Sequence, residues 1–206
     1  MGPLRVHFPA LGTLAGQAYA TLVPVIVAAV LNMVWVTLPW AQRLRRPIDA
    51  GATLRDGRRV FGDNKTWKGL LGMVVLGAVA GLVWGQVIRG TGVEPYNLFY
   101  ARHDNTPAFS AFTGALQGLV YAVFELPNSF LKRRVGISPG TRHGGPWTVL
   151  FVVLDQIDSV LGCALLVVAF APVGWAFVLV TMLVGGATHL VLNLLLYAAR
   201  LRKHPL

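Results

Sequence analysis

Apolar residues crowd into five stretches of this chain, at 18–41, 67–88, 109–126, 148–171 and 173–197, and polar residues collect between them. A helix of about 20 apolar residues, rising 1.5 Å per residue, crosses the roughly 30 Å hydrocarbon core of a bilayer. The pattern therefore predicts an all-α, polytopic membrane protein with five transmembrane helices and two long cytoplasmic loops. The third stretch is the least apolar, being interrupted by Thr113, Gln117 and Glu125. Pro172, Val173 and Gly174 link the last two and suit a tight reversal of direction. Residues 90–107 read as an irregular connection. No repeat or low-complexity tract divides the chain, so residues 1–206 read as a single domain.

Composition agrees with this picture. Hydrophobic residues make up 55% of the 206 and charged residues only 13%, with a mean hydropathy of +0.60, well outside the range of water-soluble domains. The net charge of +10 would suit a nucleic-acid partner, but none is expected here: the basic residues lie between apolar stretches, where membrane topology accounts for them. Eight lie within 42–68 (Arg43, Arg45, Arg46, Arg55, Arg58, Arg59, Lys65, Lys68), four within 128–146 (Lys132, Arg133, Arg134, Arg142) and three in the tail (Arg200, Arg202, Lys203). Only Arg5, Arg89 and Arg102 fall on the other side. Positive residues favour the cytoplasmic face, so both long polar loops and the C-terminus are expected there, with the N-terminus outside. The residues before Gly12 lack a charged region followed by an apolar core and cleavage site, and do not read as a cleaved signal peptide. Cys163, the single cysteine, reads as a small packing residue.

Against this background the run VVLDQIDSVLG, 152–162, stands out. On a helix, Asp155, Asp158, Ser159 and Gly162 share one face, so both carboxylates point into a common cavity. A mid-membrane aspartate costs about 2.5–3.5 kcal/mol on insertion scales, which calls for a compensating partner. Three partners suit the pair: a lysine or arginine from a neighbouring helix, a proton or ion relay in a coupled transporter, or a divalent metal. Mg²⁺ suits it best, since that ion takes one or two carboxylates, keeps several waters and shares its other positions with substrate phosphates.

Two basic segments supply candidates for the phosphates. In FGDNKTWKG, 61–69, Lys65 and Lys68 flank a helix start, with Asp63, Asn64 or Thr66 available as caps and Gly62 allowing close approach of a ligand. A capped helix anchored at the headgroups by Trp67 and the lysines is the alternative. In LPNSFLKRRVGISPG, 126–140, Asn128 and Ser129 precede Lys132, Arg133 and Arg134. Three consecutive cations cannot share one helix face, so they engage different phosphates or divide between ligand and lipid headgroups. Glu125 is a further acid, able to act as ligand or base or to pair with Lys132 or Arg133. In the fifth stretch Gly186, His189, Asn193 and Tyr197 form a second polar stripe, suited to interhelical hydrogen bonds or to facing the aspartates. Asn32 in the first has the same two readings.

Taken together, RRPID (45–49), GDNKTWKG (62–69), NSFLKRRVGISPG (128–140), LDQIDS (154–159) and the His189–Asn193 pair resemble the CDP-archaeol synthase family, membrane cytidylyltransferases related to the CDP-diacylglycerol synthases. The likeness spans nearly the whole chain, and five segments match what the family implies. The resemblance implies cytidylyl transfer from CTP to a lipid phosphate, with membrane lipids as surroundings. It implies Mg²⁺ held by Asp155 and Asp158, and a nucleotide site lined by Asp63, Asn64, Lys65, Lys132 and Arg133. Lys68, Asn128 and Ser129, which stand in the same motifs, are grouped with that site, and Lys65 and Lys132 join the aspartates as catalytic candidates. RHGG, 142–145, also resembles the diacylglycerol relatives, so an isoprenoid ether phosphate, a phosphatidic acid or another lipid phosphate all remain open as acceptor.

Overall fold

Each apolar stretch forms one long helix: α1 (Leu11–Thr37), α2 (Trp67–Ile88), α3 (Pro107–Arg134), α4 (Thr148–Phe170) and α5 (Trp175–Ala198). All five are long and apolar enough to cross a membrane. The structure, a computed structural model, describes residues 10–139 and 147–198. Arg5, Arg142, Arg200, Arg202 and Lys203 of the charge count, and the RHGG run, lie outside the described residues. Among the described residues there are no strands, only two isolated bridges.

The helix ends follow local chemistry. Leu38 is extended, as a residue before proline prefers, so α1 stops at Thr37 and not at the predicted 41. Thr66 caps α2, its hydroxyl accepting from the Gly69 N–H at 3.2 Å. Thr106 caps α3 in the same way, with Pro107 at the first helical position, where its missing N–H costs nothing.

The largest departure from the sequence reading is the far end of α3, which runs on through Pro127 to Arg134 where a loop was expected. Proline removes one hydrogen bond from the helical ladder, a loss that membrane helices tolerate when neighbours satisfy the freed group. At 28 residues, α3 is roughly 42 Å long, so its last turns extend beyond a 30 Å hydrocarbon layer even with some tilt. Asn128, Ser129, Lys132 and Arg133 therefore stand on a rigid helix.

Each helix packs on the next in sequence, and α5 returns to α1, which closes the ring. The α2–α3 crossing is the closest, because Gly77 and Gly81 face Gly114 and Gly118: a Cβ at Gly81 would lie 2.9 Å from the Gly114 Cα. One apolar cluster joins Leu14, Leu98, Phe99, Val167 and Phe177 near one end of the bundle. A second joins Leu22, Val25, Ala28, Met73 and Cys163 further along α1. The opposite end carries the polar site.

There, residues 42–66 form an ordered loop clasped at its base, where the Ile48 N–H donates to the Lys65 carbonyl (2.8 Å) and Trp67 to Arg46 (3.1 Å). Arg134, at the tip of α3, holds the loop down by donating to the Asp56 carboxylate at 2.6 Å and 2.7 Å and to the Arg58 and Arg59 carbonyls.

Candidate functional site

Extending α3 changes the geometry of the polar residues. Glu125, Asn128, Ser129 and Lys132, at helical spacings of three and four, occupy one face of α3. Opposite them on α4 stand Asp155 and Asp158. The Asn128 amide bridges the two, its Nδ2 donating to Asp155 Oδ1 at 2.7 Å and to Asp158 Oδ2 at 2.8 Å. Lys132 Nζ lies 2.5 Å from both oxygens of Asp155. Asp158 also accepts from the backbone N–H (2.6 Å) and hydroxyl (3.1 Å) of Ser159. The two acids share one amide, and that amide and one ammonium partly offset the cost of placing them there.

The first loop supplies the next cation. Lys65 is ion-paired with Glu125, one helical turn from Asn128, so Glu125 is matched by Lys65 and not by Lys132 or Arg133. Both members of that pair lie close enough to Asp158 to act on it electrostatically. Beside them opens a cavity of about 510 Å³ between α1, α2 and α3, lined at its polar mouth by Arg45, Asp63, Asn64 and Lys65 and deeper by Met73 and Tyr121. Asp63 is paired with Arg59 at 2.6 Å, which offsets its charge beside a cavity rich in cations.

Lys68 carries a structural contact that its motif did not announce. It is only 1% exposed, its Nζ donates to the Leu38 carbonyl at 2.5 Å and the Val36 carbonyl at 3.4 Å, and it stands over the Trp35 ring. Its charge satisfies the carbonyls at the end of α1, and its side chain also lines the cavity beside Lys65. Ser129 donates to the Glu125 carbonyl at 2.9 Å and is buried. Arg133 is buried too, donating to the Ile137 carbonyl while its Nε has no protein partner. The three consecutive cations thus diverge as their spacing required, although to an aspartate, a carbonyl and the first loop.

The stripe on α5 does not reach the aspartates. Asn193 donates to Gln156 Oε1 at 3.0 Å and His189 Nδ1 lies 3.4 Å from the Gln156 carbonyl, which makes Gln156 the α4 residue that α5 reads. Asn32 donates to the Gly69 carbonyl at 3.2 Å. Sequence reasoning gave no role to Gln156, whose signal was an amide next to Asp155 in an apolar helix. It gave no role to Asp49 either, although the RRPID motif ends on it. Asp49 is buried, and its carboxylate accepts from Arg59 and from the N–H groups of Gly51, Phe61 and Gly62. Burial pushes this carboxyl up, yet the Arg59 guanidinium and those N–H groups outweigh it and hold it below the usual carboxylate range.

The family model of the CarS-like CDP-archaeol synthases matches residues 21–205. This chain belongs to the CDP-archaeol synthase family. A CDP-archaeol synthase of Methanoculleus marisnigri is 38% identical over 138 residues, covering 66% of this chain and 70% of the relative. One of Methanococcoides burtonii is 33% identical over 172 residues, covering 78% and 90%. One of Thermofilum pendens is 31% identical over 186 residues, covering 89% and 78%. Among solved structures, an intramembrane enzyme for archaeal membrane lipids biosynthesis superposes with a TM-score of 0.59 at 25% identity, over 85% of this chain and 92% of that one. The protein is therefore a multi-pass membrane cytidylyltransferase, and its five helices share the architecture of that solved enzyme.

Proposed function

We propose that this member of the CDP-archaeol synthase family transfers the cytidylyl group of CTP to an archaeal ether-lipid phosphate, giving a CDP-activated lipid and pyrophosphate, with Mg²⁺ held by Asp155 and Asp158. The observation that carries this reading is the convergence of the two aspartates on Asn128, with Lys132 and Lys65 beside them. The names of the relatives support the ether lipid as acceptor.

The donor set suits the ion. Among the described residues no group of three or more histidines, cysteines or acids could hold a metal, so a ligand-saturated cage is not built. Mg²⁺ needs none, because one or two carboxylates suffice when waters and phosphates complete the octahedron. When bound, Mg²⁺ would offset negative charge on the triphosphate and the departing pyrophosphate.

In the proposed reaction an oxygen of the lipid phosphate forms a bond to the α-phosphorus of CTP as the bond from that phosphorus to the α,β-bridging oxygen breaks, and that oxygen leaves as a terminal oxygen of pyrophosphate. The lipid phosphate is already an anion, so the protein has little proton transfer to perform. Its contribution is positioning and charge stabilisation. Lys132 and Lys65 are the cations placed to take phosphate oxygens once a ligand draws them from Asp155 and Glu125. Asn64 and Arg45, at the mouth of the cavity, are placed to meet the nucleotide.

We infer that this end of the bundle faces the cytoplasm, where CTP is. The basic bias supports that orientation. So does the Asp56–Arg134 pair, which brings the α1–α2 loop and the end of α3 to the same side.

The reading is tested with purified protein, CTP labelled in its α-phosphate, Mg²⁺ and a panel of lipid phosphates. A labelled CDP-lipid formed most efficiently from the isoprenoid ether phosphate is expected. No product from any lipid by correctly folded protein would overturn the activity, and preference for phosphatidic acid would overturn the acceptor.

A further inference from the structure

Asp49 lies outside the set of groups that face the two aspartates, yet the backbone carrying Lys65 is built around it. Its Oδ2 accepts from Phe61 N (2.9 Å) and Gly62 N (3.0 Å), and its Oδ1 from Gly51 N (3.2 Å). Arg59 closes on the same carboxylate through Nη2 at 2.5 Å and Nε at 3.3 Å, and with its remaining nitrogen reaches Asp63 at 2.6 Å. The Asp49 side chain is 1% exposed and that of Arg59 27%, so the pair closes inward while its outer edge meets solvent.

From this hub two short paths fix Lys65. Gly62, pinned by Asp49, has φ +100°, a left-handed conformation open to glycine, and a Cβ there would lie 2.7 Å from Pro139 Cγ. The Gly62 carbonyl then accepts from the Lys65 N–H at 3.2 Å. On the other side Ile48, the residue before Asp49, donates its N–H to the Lys65 carbonyl at 2.8 Å. Lys65 is held by both its N–H and its carbonyl, and each hold leads back to Asp49 within one or three residues.

We propose that Asp49, acting through Arg59 and the Gly62 turn, is a positioning residue that sets the register of Asp63, Asn64 and Lys65 for the nucleotide, an inference that rests on the cytidylyl-transfer reading above. Its carboxylate touches no substrate. It holds the turn in the one arrangement that aims Lys65 at Glu125 and the aspartate pair, and through Arg59 it keeps the Asp63 charge matched at the edge of the cavity.

The test compares wild type with Asp49→Asn, Asp49→Glu, Arg59→Gln and the Asp49→Asn/Arg59→Gln double variant, with Arg55→Gln as an exposed control in the same loop. KM is measured separately for CTP and for the lipid phosphate, and thermal stability and amide exchange at residues 59–65 are followed alongside. For Asp49→Asn and Arg59→Gln, kcat/KM for CTP falls at least tenfold while KM for the lipid phosphate changes less than twofold. Exchange at Phe61 and Gly62 accelerates, Asp49→Glu recovers part of the loss, and the double variant is no worse than the poorer single one. Arg55→Gln behaves as wild type. Wild-type kinetics for CTP in Asp49→Asn and Arg59→Gln would overturn the proposal, and so would equal losses for both substrates that follow the folded fraction. If Asp49→Asn does not fold, Arg59→Gln, whose side chain reaches solvent, decides between these outcomes alone. An inactive wild type would instead overturn the cytidylyl-transfer reading, and exchange at Phe61 and Gly62 still reports whether Asp49 holds the turn.

Discussion

The ammonium of Lys132 lies 2.5 Å from both carboxylate oxygens of Asp155, so the cation nearest the aspartate pair is matched with one member of it. In the proposed reaction Mg²⁺ held by Asp155 would leave the Lys132 ammonium to turn from the carboxylate to a phosphate. Lys132→Gln is accordingly expected to lower kcat by about 10², the scale of removing one electrostatic stabiliser of the transferring group. The Mg²⁺ concentration for half-maximal rate should not rise, because Asp155 has lost a competitor for its charge. Asp155→Asn should abolish CDP-lipid formation in protein that still inserts normally. Steady-state rates across a Mg²⁺ titration measure all of this, and a Lys132→Gln enzyme with wild-type kcat would remove Lys132 from the reaction.

Asn128 gives a second handle, since its Nδ2 is the donor shared by Asp155 and Asp158. Asn128→Leu leaves two neighbouring carboxylates without it, a loss on the order of 1–3 kcal/mol for buried groups left unsatisfied. In detergent with a chelator the variant should melt below wild type. Added Mg²⁺ should raise its melting temperature by more than it raises that of wild type, because an ion between the carboxylates offsets the repulsion that the amide offset before. Equal responses to Mg²⁺ in the two proteins would argue that the aspartates do not hold the ion.

The helices were legible because hydropathy is local: a stretch of apolar residues needs no knowledge of its neighbours to be a membrane span, and α2 begins and ends where its pattern does. The Asp155–Asp158 face was legible for the same reason, as spacing along one helix. What the aspartates meet was not, because Asn128 and Lys132 arrive from α3, more than twenty residues away in sequence, and Pro127 together with three consecutive cations resembles a loop more than the continuation of a helix. What Lys68 meets was hidden for a related reason: a lysine beside a helix start gives no sign of the α1 end that stands against it.

The α2–α3 crossing yields a prediction about packing. A Cβ at Gly114 would lie 2.9 Å from the Gly81 Cα and closer still to the Gly77 carbonyl, with backbone on the other side that cannot swing aside. Gly114→Ala should force the helices apart and lower thermal stability in detergent by several degrees, whereas Gly174→Ala, in the α4–α5 link with open space around it, should be neutral. Because α3 carries Asn128 and Lys132, Gly114→Ala should also reduce activity in the fraction that remains folded. A variant as stable and active as wild type would mean that the helices do not approach this closely.

Asp49 makes the loop sensitive to acid in a definite direction. Burial pushes its carboxyl up, but Arg59 and the N–H groups of Gly62, Phe61 and Gly51 outweigh that, so its folded value lies below the ordinary 3.8. A carboxyl depressed on folding stabilises the folded state fully above its unfolded value, and the contribution is lost as the pH falls from that value through the folded one. The difference in melting temperature between wild type and Asp49→Asn should therefore stay constant from about pH 7 to about pH 5 and narrow only below about pH 4. Other acids of the protein titrate in the same range, so it is the difference between the two proteins, and not the wild-type curve, that isolates Asp49. A gap that begins to close near pH 6 would require a carboxyl raised on folding, contrary to the paired geometry with Arg59, and a gap that was never present would mean that the carboxylate does not hold the loop.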